Sequence, residues 1–259
     1  MRRLLPFVVA LCLVSPALAD VDTPTSYGDA MRWYRAAAED GNPRAQYLLA
    51  LIYHEGIRFE RNLAEAVRWY ARAARRGHAQ AQLNLAVMLH KGESGPADPA
   101  AALVWYSMAA EQGVTEAQYN LGTLYDRGEG VTLDPAAAAL WYEKAAQQGH
   151  AGARNNLGVL YAWGDGVPRD HERAFDLYWA AASAGLVDAQ YNLGVLYARG
   201  DGVERDQLAA YRWFELVVKR ADVRLAVQAQ ASLTFVENLM SVEDLEEARA
   251  TPIQAGAAP

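Results

Sequence analysis

The stretch AQYNLGTLYDRGEGV, residues 117–131, returns almost unchanged as AQYNLGVLYARGDGV at residues 189–203. The two copies begin 72 positions apart, which is two intervals of 36. A hydrophobic pair, usually Trp-Tyr, recurs at every interval of 36. The pairs begin at Trp33, Trp69, Trp105, Trp141, Leu177 and Trp213. Self-similarity at a fixed period of this length is typical of repeat proteins, so the sequence predicts an array of about six units.

Each unit has the apolar spacing of two consecutive helices. In the first helix, Ala66, Trp69, Tyr70, Ala73 and Ala74 fall on one face at 3.6 residues per turn. A glycine eight residues after the start of each pair is expected to end this helix in a left-handed conformation. These glycines are Gly41, Gly77, Gly113, Gly149 and Gly185, and Ala221 breaks the pattern in the last unit.

The second helix carries a small residue in the middle of its apolar stripe. In one copy the stripe is Ala117, Leu121, Leu124 and Tyr125, and Gly122 lies within it. Glycine at such a position costs about 1 kcal/mol of helix propensity relative to alanine. The equivalent residues in other units are Ala50, Ala86, Gly158 and Gly194. A cost that recurs at one position predicts a close helix crossing, where no larger side chain fits.

The turns between units combine glycine with a helix cap. Motifs GEGV and GDGV supply residues that tolerate positive φ. A capping side chain then recurs every 36 positions, at Asn62, Asp98, Asp134, Asp170 and Asp206. Pro99 and Pro135 follow two of these caps at the first helical position, which suits proline. Because the alternating oxygen ligands of a calcium loop are missing, turn geometry explains these motifs better than metal binding.

Stacked helix pairs bury the aromatic face that a single pair leaves exposed, so residues 20–250 are predicted to form one all-α solenoid domain. The last unit lacks the AQxxLGxxY signature, and its second helix is expected to run from about Asp222 to Met240. Ser241 and Asp244 resemble a capping box, which predicts a polar C-terminal helix that covers the open end. Residues 251–259 are expected to be a disordered tail.

The N-terminus has the pattern of a secretory signal peptide. Arg2 and Arg3 precede an apolar run over residues 4–14, and small residues lead to Ala19. Residues 1–19 are therefore predicted to be cleaved after Ala19, which places the protein in the periplasm or outside the cell. A retained anchor is the alternative, but the run is too short to span a bilayer. No later stretch is long and apolar enough to be transmembrane.

Composition excludes several classes of function. The single cysteine, Cys12, lies in the predicted signal peptide, so the mature chain has neither disulfides nor a thiol nucleophile. Without Arg2 and Arg3 the chain has 22 basic and 31 acidic residues, a formal charge of −9. This acidic balance argues against binding to nucleic acid or to an anionic membrane.

Motifs for catalysis or cofactor binding are also missing. The chain has no HExxH, GxSxG, SxxK or GxxxxGK[ST] sequence, and no cofactor is predicted. His54 and His90 occupy one repeat column, and His78 and His150 occupy another. Equivalent residues of neighbouring units lie about 16–20 Å apart if packed helices are 8–10 Å apart. Shared metal binding is therefore not expected, and the histidines are expected on the surface.

The pattern AxxWYxxAAxxG…AQxxLGxxYxxGxGVxxDxxxA, over about residues 26–240, resembles the Sel-one-like repeat (SLR) family, relatives of the tetratricopeptide repeats. The resemblance implies a right-handed α/α superhelix that acts as a scaffold or adaptor for other proteins. Many bacterial members are exported and are tied to envelope signalling, exopolysaccharide control, motility or host contact. The implied partner is a protein or peptide of the bacterial envelope.

Two tryptophans depart from the repeat. Trp163 stands where other units carry Glu, Lys or Arg, and Trp179 stands in a column that is otherwise mainly polar. Both are therefore predicted to be exposed, and exposed aromatics are enriched in binding hot spots. We expect Trp179, with Phe175 and Tyr211 beside it, to form a partner-contact patch on the first-helix surface. Trp163 is a candidate for a second contact. The alternative is that both tryptophans fill packing gaps.

The sequence favours an exported scaffold that binds a protein or an extended peptide without covalent chemistry. The Trp column of the repeated pairs is assigned to the core. One alternative function is a secreted hydrolase of the β-lactamase or penicillin-binding type, although no SxxK pair is present. Another is binding of an envelope polysaccharide through the displaced aromatics. The protein is expected to be monomeric.

Overall fold

A computed structural model of the chain describes residues 27–57 and 60–250. The predicted signal peptide and the predicted tail lie outside these residues. The described chain forms thirteen α-helices and no strand. They are α1 (Tyr27–Glu39), α2 (Pro43–Glu55), α3 (Leu63–Arg75), α4 (Ala79–Lys91), α5 (Pro99–Glu111), α6 (Thr115–Arg127), α7 (Pro135–Gln147), α8 (Ala151–Trp163), α9 (His171–Ser183), α10 (Val187–Arg199), α11 (Gln207–Arg220), α12 (Val223–Glu237) and α13 (Val242–Ala250). Every one of these helices is too short or too polar to traverse a bilayer.

Odd-numbered helices up to α11 are the first helices of the units, and even-numbered helices are the second helices. Each helix packs against the next one along the chain from α1 to α12, which is the all-α solenoid that the 36-residue period predicts. The predicted caps are confirmed: the side chain at each of the five positions accepts a hydrogen bond at the start of its first helix. The five glycines after the first helices all have positive φ, as predicted.

From the second unit onward, the second residue of each repeated pair forms the core of the array, whereas Tyr34 of the first unit is half-buried. The side chain of this second residue is almost completely buried at Tyr70, Tyr106, Tyr142, Tyr178 and Phe214. The first residue of each pair was predicted to lie in the core, but its burial varies from unit to unit. Trp69 and Trp213 are buried, Trp105 and Trp141 are half-buried, and Trp33 is exposed. Neighbouring helix positions point about 100° apart, so only the second residue faces the preceding second helix directly.

The small residue of each second helix lies at that contact. A Cβ built on Gly122 would lie 2.7 Å from Cδ1 of Tyr142, and one on Gly194 would lie 2.7 Å from Cε1 of Phe214. Contacts between carbon atoms normally lie at about 3.5–4.0 Å. The prediction of a close crossing is therefore confirmed. Ala50 and Ala86, which occupy the same column in earlier units, are completely buried.

The glutamine of the AQ pair has a structural role that the sequence alone did not reveal. Nε2 of Gln82 donates to the carbonyl oxygen of Ala74 at 3.1 Å, so it ties the second helix to the end of the first. Gln46, Gln118 and Gln190 make the same bond to the residue eight positions earlier. Where the column changes to Arg154, its Nε replaces the amide and donates to Ala146. A carbonyl at each buried helix end is thereby satisfied.

The histidines are half-buried and not on the surface as expected. Nδ1 of His78 and of His150 accepts the amide of the residue three positions later, so each ring caps its second helix. Burial lowers the pKa of His78, which favours the neutral ring that can accept this bond. His54 and His90 instead contact Glu93 and Glu129 in the following turns, at 3.0 and 2.8 Å.

The C-terminal helices end the solenoid. Asp222 caps α12, and the predicted capping box at Ser241 and Asp244 is confirmed by a 3.0 Å bond from the Asp244 amide to Ser241 Oγ. Helix α13 packs against α11, where Ala248 is completely buried. An ion pair at 3.5 Å from Arg212 to Glu247 supports this contact.

Candidate functional site

A groove opens on the side of the solenoid formed by α3, α5, α7, α9 and α11, which we call the first-helix face. The groove lies between α7 and α9, with α8 beneath it, and has a volume of about 410 Å³. Most of its lining is apolar and comes from Ala136, Ala139, Leu140, Leu157, Tyr161 and Val167. This volume is at the lower end of the range for small-molecule pockets, about 300–1,000 Å³, but the groove is open to solvent along its length.

One small residue explains why the groove is present in this unit. The column of Ala139 contains larger side chains in every other unit: Met31, Val67, Leu103, Phe175 and Tyr211. Between α9 and α11, Phe175 fills the equivalent space and packs edge-on against Tyr197 at 5.5 Å. The side chain of Ala139 is too short to extend from α7 over the ring of Tyr161, so the space above that ring stays open.

An exposed apolar ridge borders the groove. Leu140 is 68% exposed, and Val104 occupies the same column one unit earlier, also exposed. Met108, one turn after Val104, is exposed as well. The flanking units carry Arg68 and Asp176 in the column of Val104 and Leu140, so the ridge is confined to two units. Exposed apolar side chains beside a groove suit a protein-interaction site.

An ion pair closes one end of the groove. Nη2 of Arg173 on α9 lies 3.1 Å from Oε2 of Glu143 on α7, and both side chains are partly exposed. The guanidinium also stacks over the ring of Tyr161, at 4.6 Å from the ring centre. This pair bridges the two helices and places one charge of each sign at the rim. The rim therefore offers a donor and an acceptor to the backbone of a bound chain.

The structure brings Trp179 and Phe175 together on the first-helix face. Their rings stack at 5.9 Å, and Trp179 packs edge-on against Trp213 at 6.1 Å. Trp179 is half-buried against the core cluster of the fifth unit, so it is less exposed than the sequence predicted. Part of its ring remains accessible beside the filled groove. Its role in partner contact stays a prediction.

Tyr211 does not join this patch. Its side chain is 4% exposed and belongs to a separate cluster with Phe214 and Ala248, beneath the last two helices. The sequence placed Tyr211 beside Trp179 because both lie on first helices of adjacent units. The neighbour of Trp179 is Trp213 instead, since α13 covers the face of α11 that carries Tyr211.

Trp163 is the most exposed large ring among the described residues, at 75%. It is the last residue of α8, directly before the turn that begins at Gly164. Its ring packs on no other aromatic ring in the described part of the chain, so its predicted exposure agrees with the structure. It lies outside the lining of the groove.

Potential metal-ligating side chains are dispersed over the described residues. Nowhere in the ranges 27–57 and 60–250 do three or more potential metal-ligating side chains come together. The sequence pattern alone did not predict the groove or the ridge, because neither contains an unusually large residue. Two repeat columns nevertheless mark this surface in the sequence. Ala139 is a small residue in a column of larger ones, and Val104 and Leu140 are apolar residues in a column that also contains Arg68 and Asp176.

Comparison with known proteins agrees with this architecture. Six consecutive Sel1 repeats match residues 20–42, 43–78, 79–114, 115–150, 151–186 and 187–216. A Sel1 repeat protein from Oxalobacter formigenes, solved by crystallography, is 32% identical with a TM-score of 0.67, and the match covers 76% of this chain and 84% of that one. Comparison with curated proteins gives no match.

A second solved structure is c5321, a protective antigen present in uropathogenic Escherichia coli strains that displays an SLR fold. It is 29% identical with a TM-score of 0.57, and the match covers 85% of this chain but only 54% of the antigen. This chain thus spans about half the length of that relative. Sel1 repeat folds generally mediate protein–protein interaction, and such proteins are typically scaffolds without enzymatic activity. With six matching repeats over most of its length, the chain belongs to the Sel1 repeat family.

Proposed function

We propose that this protein is an exported scaffold of the bacterial cell envelope that holds an extended segment of a partner protein on its first-helix face. The single observation that carries the proposal is the open groove at Ala139 beside the exposed ridge of Val104, Met108 and Leu140. The N-terminal pattern of residues 1–19 supports export. The repeat architecture supports a rigid surface on which variable positions select the partner.

The proposed contact has three parts. A large apolar side chain of the partner lies in the groove against Tyr161 and Val167, whose partly exposed apolar surface it removes from water. A second apolar side chain lies on Leu140. Arg173 and Glu143, which already pair at the rim, hydrogen-bond the partner's backbone between these two anchors. An extended segment suits this arrangement because its successive side chains can reach the groove and the ridge without a folded partner surface.

The groove is tested by filling it with the side chain that the next unit uses. The Ala139→Phe variant copies Phe175 in the same column, so we expect the fold to be retained and the groove to be closed. Capture of envelope partners by in-cell photocrosslinking from position 140 should fall at least about tenfold, the effect of losing about 1.4 kcal/mol of binding. The control is Asp188→Lys, at an exposed site in the first turn of α10.

Crosslinking also tests which face binds. A photoreactive residue at Leu140 should capture a defined set of proteins, and one at Asp188 should not. Mass spectrometry of the captured proteins then identifies the partner. Equal capture from both positions, or full capture by Ala139→Phe, contradicts binding in the groove. Export is tested separately by sequencing the N-terminus of the protein recovered from the periplasm, where the first residue should be Asp20.

Trp163 favours one second function, binding of an envelope polysaccharide, because an exposed indole ring offers a stacking surface for a sugar. Cell-wall glycans should then quench tryptophan fluorescence in the unmodified protein and not in Trp163→Phe. Retention of quenching in that variant would assign the signal to another tryptophan and remove the support for this function.

A further inference from the structure

Exposed apolar side chains are concentrated at the C-terminal end of the array. Of twelve large apolar side chains that are exposed within residues 27–57 and 60–250, five lie between positions 223 and 242. They are Val223, Val227, Phe235, Leu239 and Val242. Such a concentration on one helix and its exit is unusual for a surface that faces only water. It lies on the last unit, away from the groove at Ala139.

Four of these positions form one row with Ala231. Val223, Val227, Ala231, Phe235 and Leu239 follow each other at intervals of four, and the first four lie on α12. Residues at this interval form a ridge that runs obliquely along a helix. The ridge lies opposite the buried side of α12, whose residues Ala229, Leu233 and Val236 face the core. We call this row the α12 ridge.

A seventh unit of the same kind does not fit on the α12 ridge. In earlier units the second helix receives the next first helix at a small residue such as Gly158 or Gly194. In α12 the equivalent position is Gln230, which is exposed and would block that close approach. Helix α13 packs against α11 and leaves the ridge uncovered. A partner must therefore meet α12 in a different geometry.

We propose that the α12 ridge is a contact between two copies of this chain, packed antiparallel about a two-fold axis at Ala231. The ridge is symmetric about that residue. Val227 and Phe235 are each four positions from Ala231, and Val223 and Leu239 are each eight positions from it. A two-fold axis therefore brings Val227 of one copy against Phe235 of the other, with the smallest side chain at the centre, where the helix axes come closest.

The rows beside the ridge suit this packing. Gln228 and Ser232 lie on one side, and Gln230 and Thr234 lie on the other. These side chains are uncharged, and the charged neighbour of the ridge is Arg199 of α10, which is exposed at the groove that Ala231 and Phe235 line. When ridges at intervals of four pack into each other's grooves, helices cross at about −50° with their axes 8–10 Å apart. Alanine at the centre permits that distance.

Charge selects the antiparallel orientation. Basic residues predominate where α12 begins: Arg220 and Arg224 are exposed on either side of the capping Asp222, and Lys219 pairs with Glu215. Acidic residues predominate after its end, where Glu243, Asp244 and Glu246 are exposed and Glu247 pairs with Arg212. An antiparallel pair places the basic end of one copy beside the acidic end of the other, at both ends of the contact. A parallel pair would place like charges together, which is unfavourable. The proposal replaces the monomer expected from the sequence.

The first test measures mass in solution. Purified protein should be in a concentration-dependent monomer–dimer equilibrium by sedimentation equilibrium, and Ala231→Arg should be monomeric at concentrations up to about 100 µM. Because Ala231 is exposed, this change should leave the helical circular dichroism unchanged. The matched control is Leu140→Arg, an exposed apolar residue on the first-helix face, which should retain the dimer.

Cysteine crosslinking then tests the axis, since Cys12 is the only cysteine and its predicted removal with the signal peptide leaves the exported chain without a thiol. In that background Ala231→Cys should form a disulfide dimer. Val227→Cys should not crosslink to itself, because an antiparallel pair separates the two copies of this residue by about 12 Å along the helix. Mixed with Phe235→Cys it should give a heterodimer.

Several outcomes overturn the proposal. They are a monomer at all concentrations, a dimer that survives Ala231→Arg, an assembly larger than two, and self-crosslinking of Val227→Cys. The monomeric outcome would leave a different protein as the occupant of the ridge. Loss of the dimer without loss of partner capture from Leu140 would separate this contact from the groove on the first-helix face.

Discussion

Gly158 lies where α8 crosses α9, and replacing it with alanine tests the packing that sets the repeat. A Cβ at this position would lie 2.7 Å from Cε1 and 2.9 Å from Cδ1 of Tyr178. Normal carbon contacts of about 3.5–4.0 Å require the ring or the helix to move by about 1 Å. The ring is only 3% exposed, so it has no free space into which to turn.

Two effects of opposite sign determine how much Gly158→Ala changes the free energy of unfolding. Alanine is better than glycine inside a helix by about 1 kcal/mol. Overpacking of a close-packed core costs about 1–3 kcal/mol. We therefore expect Gly158→Ala to lower the free energy of unfolding by about 1 kcal/mol, since the middle of the cost range exceeds the gain. Gly122 and Gly194 meet their rings at the same 2.7 Å, so the triple alanine variant should lose about 3 kcal/mol if the crossings are independent.

Urea denaturation followed by far-UV circular dichroism measures these changes. The slope of the transition must be compared as well as its midpoint, because a repeat array can lose cooperativity. Ala86→Gly is the control in the same column, and it should cost about 2 kcal/mol, from lost propensity plus one lost buried methyl group. A triple variant more stable than the parent would refute the reasoning, because helix propensity would then outweigh the contact.

Three further predictions follow from single side chains. Burial raises the pKa of Asp126, and the nearby carboxylate of Asp165 raises it further, against the bond from the Tyr142 hydroxyl. Its charged form thus costs stability as pH rises through the raised pKa, so Asp126→Asn should stabilise at pH 7, and the gain should vanish in denaturation curves at acid pH. Trp179→Ala should cost about 3 kcal/mol, and exposed Trp163→Ala less than about 0.5 kcal/mol, by the same urea measurement. Asp170→Ala removes the cap of α9 and should cost about 1 kcal/mol, with Asp170→Asn as the control that keeps it.

The sequence predicted the features that depend on local chemistry repeated at a fixed interval. Each of these features requires one residue type at one position: a cap, a glycine with positive φ, or a small residue at a close crossing such as Gly122. Because the repeat recurs six times, the same residue type is seen again at each such position. The burial of Trp179 depends on Trp213, which lies in the next unit, so it cannot be obtained from the local pattern. Likewise, Tyr211 is buried because α13 folds back over α11, a contact that no repeat position encodes.

The two proposed surfaces were missed for a related reason. A large residue at a small or polar repeat position, such as Trp163, stands out in the sequence. The groove at Ala139 arises from the opposite change, a small residue at a large position, and the α12 ridge is exposed because α13 packs on α11 and not on α12. Both become visible only when the neighbouring helices are in place.

Ala139 and Phe175 show how such an array can change its partner without changing its fold. Both occupy one column, and the backbone around them is held by features outside that column, namely the caps, the turn glycines and the ring against the small residue of the second helix. A substitution in the column of Ala139 and Phe175 therefore opens or fills a groove and changes the packing between first and second helices little. The residues that repeat fix the distance between helices, and the residues that vary determine which side chains of a partner can enter.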